Sequence, residues 1–219
     1  MKRSLSALLI LAATAVASCS SGGRSGSSTT QARPTTSTVV ALSTSSPITT
    51  TPASEPLPNP ATCGAERITV KDGLDADAAR VDQANVHPTT VADLIALQPP
   101  ATLGARTQPV EFTVYRLSAT IIEYKHETDN DYHVVVSDPA GHTMIVEIPS
   151  PACVTAGPFH NGIAASRAAF DSRFHASSAL QHTAVPATVT GVGFFDFKHG
   201  QTGVAPNAIE LHPVLSIQF

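Results

Sequence analysis

The sequence has no tryptophan, two methionines, three cysteines and only 5% aromatic residues, and charged residues fill just 14% of its 219 positions. Single-stranded nucleic-acid binding uses a basic groove with stacking aromatics, and this composition is poor in both. The formal net charge is −4. Lys2, Arg3, Arg24, Arg33 and Glu55 precede Glu66, so the remainder holds nine basic against sixteen acidic residues. Such a surface repels phosphate backbones, and no nucleic-acid partner is expected. No apolar run reaches the length of about 20 residues that a membrane-spanning helix requires. HExxH, HxH and CxxC spacings, a GxSxG elbow and a P-loop are all missing, which weighs against an enzyme and against a pre-spaced metal motif.

What is present begins with an export pattern. Met1, Lys2 and Arg3 give a basic start, residues 5–17 form a short apolar run, and Val16-Ala17-Ser18-Cys19 closes it with small residues. Residues 1–18 read as a signal peptide. The closing four residues resemble the lipobox of bacterial lipoproteins, a resemblance that covers about the first twenty positions. It implies that Cys19 becomes the acylated first residue, carrying chains such as palmitate, and that the partner is a cell membrane faced from the extracytoplasmic side. Buried methylenes at about 0.8 kcal/mol each make a multiply acylated cysteine a firm anchor. Residues 19–62 are dominated by Ser, Thr, Pro, Gly and Ala. Such a segment cannot bury enough apolar area to offset its ordering entropy, so a disordered stalk is expected, a plain spacer in preference to a glycosylated one.

Residues 63–219 are expected to form one mainly β domain. Residues 110–124 alternate as a long strand, and residues 132–137 and 143–148 follow around the turn at Pro139-Ala140-Gly141, with Pro149 and Pro151 ending the third strand. Residues 159–174 have the pattern of an amphipathic helix. Residues 187–197 and 209–219 read as two further strands, and Gly191 and Gly193 suit a strand that bends sharply. Residues 89–97 read as a short threonine-capped helix, expected to pack on the outside of the barrel. The order β-β-β-α-β-β is similar to the OB-fold, a five-stranded Greek-key barrel. The C-terminal run also resembles uncharacterised exported bacterial proteins, which implies no activity.

With Cys19 assigned to lipid, Cys63 and Cys153 form an even pair in an oxidising compartment, and a disulfide between them is expected. The OB-fold resemblance implies a ligand site between the loop joining strands 1 and 2 and the loop joining strands 4 and 5. Those loops supply His126, Asp129, Asp131, Asp196 and Asn207, with Glu210 just beyond. Asp129 and Asp131 also fit a simple turn-forming role, and Asp196 fits either a buried carboxylate or an outward one. Counting by twos puts His133, Glu147, Glu210 and His212 opposite the apolar residues of their strands, pointing outward. His133, Glu147, His199 and His212 are therefore the candidate ligands for a divalent metal; the alternative is that they are solvated residues, with no cofactor. The expected function is a membrane-anchored, non-enzymatic binding module whose partner is a small molecule, an envelope polymer or another exported protein. The competing reading is a metal-dependent hydrolase using some of those four residues.

Overall fold

The computed structural model describes residues 62–219. The expected signal peptide, lipidated Cys19 and stalk lie outside the described residues. Among those described, no helix is long and apolar enough to cross a membrane.

The domain is mainly β. Its strands are β1 (Val86–Pro88), β2 (Val114–His126), β3 (Tyr132–Ser137), β4 (Thr143–Ile148), β5 (Gln181–Phe195) and β6 (Ile209–Gln218); its helices are α1 (Ile68–Lys71), α2 (Val91–Ile95) and α3 (His160–Asp171). The strands follow the order β1-β2-β3-β4-β6-β5, and β5 returns to pair with β2, so the sheet closes in a ring. The closure has two parts. Along one edge of β2, β5 runs antiparallel from Val114↔Val192 to Tyr124↔Gln181. On the far side, β4 and β6 meet in a short parallel pairing at Ile145↔Glu210 and Val146↔Leu211. β5 shifts register between Thr190 and Gly191 and again between Gly191 and Gly193. A Cβ at Gly193 would come within 2.7 Å of the Val110 carbonyl oxygen, so the bend expected at this strand depends on the missing side chain.

The main apolar cluster fills the ring with Leu117, Ile121, Val134, Val136, Met144, Val146, Val189 and Leu211. Phe170 and Phe174 of the α3 segment join Tyr124 and Tyr132 in an aromatic group with ring centroids 4.8–5.5 Å apart. Arg167 of α3 is buried despite its charge: it donates to the Asn130 and Ile148 carbonyls and lies over the Tyr132 ring. α2 starts at the expected cap, where the Thr90 hydroxyl accepts from the Asp93 amide at 3.1 Å. It packs one face onto the main cluster through Val91 and Leu94 and leaves Ala92 and Asp93 exposed.

A second, smaller cluster, with Ala78, Val81, Val154, Phe159, Ile163 and Val192, lies under the stretch that follows Cys63. That stretch is the largest departure from expectation. Cys63 is bonded to Cys153 as expected, with Cα atoms 5.6 Å apart, and the residues after it are drawn against the ring. Arg67 reaches across to Glu111 and the Phe195 carbonyl, and Arg106, itself buried, joins Asp75 to the Val70 and Glu111 carbonyls. The strand faces that were expected to meet solvent are thereby covered. His133, Glu210 and His212 stand apart from the apolar cluster that fills the ring, but each is only 1% exposed: their side meets covering chain and not the solvent expected for it.

Candidate functional site

A cleft of about 190 Å³ opens between three parts of the chain: the stretch after Cys63, the β2–β3 loop and the β5–β6 loop. Its floor comes from facing residues of β3 and β4. His133 and Glu147 are cross-strand partners, and His133 Nδ1 lies 3.0 Å from Glu147 Oε1 while Nε2 lies 3.0 Å from the Thr202 carbonyl oxygen. Both neighbours are acceptors, so the ring is fully satisfied only with a proton on each nitrogen. Burial lowers the His133 pKa, but the bond and charge of Glu147 outweigh it and the net shift is upward.

The walls are charged. Glu127 and Asp129 stand on the β2–β3 loop; Asp196, His199 and Gln201 on the β5–β6 loop; Glu66 and Lys71 on the stretch after Cys63. Asp129 does shape its turn, accepting from the Asp131 amide at 3.3 Å, beside Asn130 in a left-handed conformation. It also faces the cleft, where burial and the neighbouring Asp131 carboxylate raise its pKa. Asp196 is the buried carboxylate: one oxygen receives Lys71 Nζ at 3.0 Å, and the other finds no hydrogen-bond partner among the described residues. His199 Nε2 lies 2.7 Å from Glu66 Oε2 at the rim.

Behind this floor lies a buried group. Asp131 Oδ2 is 3.5 Å from His212 Nε2, and Glu210 Oε2 is 3.9 Å from His212 Nδ1. Asp72, directly after α1, completes the group; burial, followed by the Asp131 charge, pushes its pKa up to about 7. Burial likewise raises Glu210. For His212 burial acts downward, but Asp131 and Glu210 together hold the imidazole well above its ordinary value.

The four expected metal ligands are thus placed in one region but in three different pairings. His133 is with Glu147, His199 is with Glu66, and His212 is with Asp131 and Glu210. Asp129 and Asp196 line the cleft, whereas Asp131 and Glu210 belong to the buried group. Asn207 holds the fold together, donating to the Leu94 and Leu97 carbonyls at 2.9 Å. His126 sits edge-on to Tyr132 with its ring centroid 5.5 Å away, outside the cleft. Sequence reasoning missed Glu66, Lys71 and Asp72. Their one signal was the expected Cys63–Cys153 bond, which ties this stretch to the end of β4.

The β5–β6 loop is held down at Gly203, whose φ is +77° and whose added Cβ would lie 2.2 Å from Val135 Cγ1. Gly203→Ala combines a strained backbone with overpacking, and we expect it to cost at least about 2 kcal/mol. Urea denaturation checks this; a change below about 0.5 kcal/mol would show that the loop relaxes freely.

No family model, no curated protein and no solved structure matches this chain.

Proposed function

We propose that the chain is an exported lipoprotein, anchored through Cys19, whose folded part is a non-enzymatic binding module with the charged cleft as its ligand site. The sheet is read here as an OB-type ring. In support, the closed order β2-β3-β4-β6-β5 has a parallel β4–β6 contact and a helix between β4 and β5. The observation that carries the functional reading is the position of the cleft: it lies between the β2–β3 and β5–β6 loops over residues of β3 and β4. OB-folds bind ligands over their second and third strands, between the corresponding loops.

The lining sets the ligand class. Glu66, Glu127, Asp129, Glu147 and Asp196 outnumber Lys71, His133 and His199, so the cleft favours a small cationic or amine-bearing group, free or displayed on an envelope polymer or protein. Binding is favoured over catalysis because the basic groups are already committed: both His133 nitrogens have partners, and Lys71 is paired with Asp196. The hydrolase reading would bring some of His133, Glu147, His199 and His212 together on one ion, and their separate pairings do not favour it.

Titration of the isotope-labelled chain with ethanolamine, glucosamine and lysine should perturb the amide resonances of Glu127, Asp129, His133 and Gln201. The double variant Glu127→Gln/Asp129→Asn should weaken the response several-fold. Unmoved cleft resonances across that panel would refute this ligand class. In cells, Cys19→Ala should shift the chain from the membrane to the soluble fraction; an unchanged membrane fraction would refute the anchor.

A further inference from the structure

We infer that Asp72, Asp131 and His212 form a buried site for a divalent transition-metal ion, zinc in the first instance, oriented by Glu210. The three residues come from the end of α1, the β2–β3 loop and the middle of β6. One ligand atom of each lies within 4.8 Å of those of the other two. For zinc–ligand bonds of about 2.0–2.2 Å, tetrahedral ligands stand about 3.4 Å apart, so modest side-chain adjustment closes the set.

Buried polar atoms without hydrogen-bond partners point independently to a ligand. Asp72, Asp131 and His212 are 2%, 3% and 1% exposed. Asp72 Oδ1 and both ring nitrogens of His212 find no hydrogen-bond partner among the described residues. Asp131 uses Oδ1 to accept the Ser150 amide, which leaves Oδ2 on the His212 side, 3.5 Å from Nε2. Buried polar atoms in this condition are costly unless something satisfies them. The nearest ammonium, Lys71, is held by Asp196 at 3.0 Å.

Glu210 supplies the orienting contact. Its Oε2 is 3.9 Å from His212 Nδ1 and has no hydrogen-bond partner among the described residues. A carboxylate behind the second nitrogen of a metal-binding histidine fixes its tautomer and ring orientation. The ion would displace the imidazole proton, and with a neutral imidazole the two aspartates balance a divalent charge. One nitrogen and two carboxylate oxygens suit zinc or manganese. Calcium needs six to eight oxygens, more than this group offers. The site is separate from the cleft proposed above, and neither reading rests on the other.

The test uses the full chain, oxidised, refolded with zinc and passed over a chelating resin. Mass spectrometry should find one retained zinc per chain, and the 15N shift of His212 Nε2 should move on loading. Asp131→Asn should lose the metal, and Glu210→Gln should weaken retention about tenfold or more. The second cluster of possible ligands, Glu66, Asp196 and His199, is the control: Glu66→Gln/His199→Gln should retain the ion. Loss of zinc in that control, an unmoved His212 resonance, or substoichiometric metal in the wild-type chain with zinc or manganese would each overturn the inference. The wild-type stoichiometry and the His212 resonance decide the matter even if Asp131→Asn does not fold.

Discussion

Glu111→Ala should lower the stability of the folded unit by about 3–5 kcal/mol, the cost of leaving a buried charge without its partner. Glu111 is fully buried, and its two oxygens receive four donors. Oε1 accepts from Arg67 Nη1 at 3.0 Å and the Phe195 amide at 2.9 Å; Oε2 accepts from Arg67 Nη2 at 2.8 Å and the Thr107 amide at 2.6 Å. Removal strands the Arg67 guanidinium, whose side chain is only 6% exposed, and leaves two amides unsatisfied. Glu111→Gln keeps the shape and part of the bonding, so its loss should be smaller. Urea unfolding followed by circular dichroism checks both. A shift below about 1 kcal/mol for the alanine variant would mean that water replaces the carboxylate, and that Arg67 does not need it to hold the chain against the ring.

Loss of the Cys63–Cys153 bond should have an effect of comparable size. The bond joins positions 90 apart in sequence, and closing a loop of that length stabilises by about 4.6 kcal/mol in the chain-entropy model. For a domain of this size that corresponds to a fall of roughly 10 °C in melting temperature. The damage should also be local. Gly64, Ala65 and Glu66 form one wall of the cleft directly after Cys63, so Cys63→Ala/Cys153→Ala should raise amide exchange there before it does so in β3 or β4. Uniform exchange across the domain, or an unchanged melting temperature, would contradict this.

The ring was more legible in sequence than its cover. β3 and β4 occupy the expected positions, residues 132–137 and 143–148, because β-branched runs are bounded there by turn residues and prolines. β5 begins at Gln181, earlier than expected, because its first residues are partly exposed and carry little apolar signal. β1 is three residues long and includes Pro88, too short for any periodicity. α1 is Ile-Thr-Val-Lys, with three β-branched residues whose intrinsic preference is not helical; tertiary contact decides its form.

The same limit explains the site. Alternation along β3 and β6 correctly separated His133, Glu210 and His212 from the apolar side, but period-2 counting reports only that two faces differ. What lies against the second face is set by a segment more than 60 residues away in the chain. The loops and strands that border the cleft and the buried group were marked by their polar residues, while the three residues of the covering stretch, Glu66, Lys71 and Asp72, carried no pattern of their own.

The span of these contacts bears on timing. Arg67 bonds the Phe195 carbonyl across 128 positions, and the Asp72–Asp131–His212 group draws on residues near both ends of the folded part. A chain emerging N-terminus first holds Asp72 and Asp131 ready long before β6 appears. Until then neither the ring nor the buried group can form, and long-range pairing of this kind is slow to nucleate. Only once Ile209–Gln218 has emerged can β6 close the ring against β4 and β5 and bring His212 to Asp72 and Asp131, so both features form late and together.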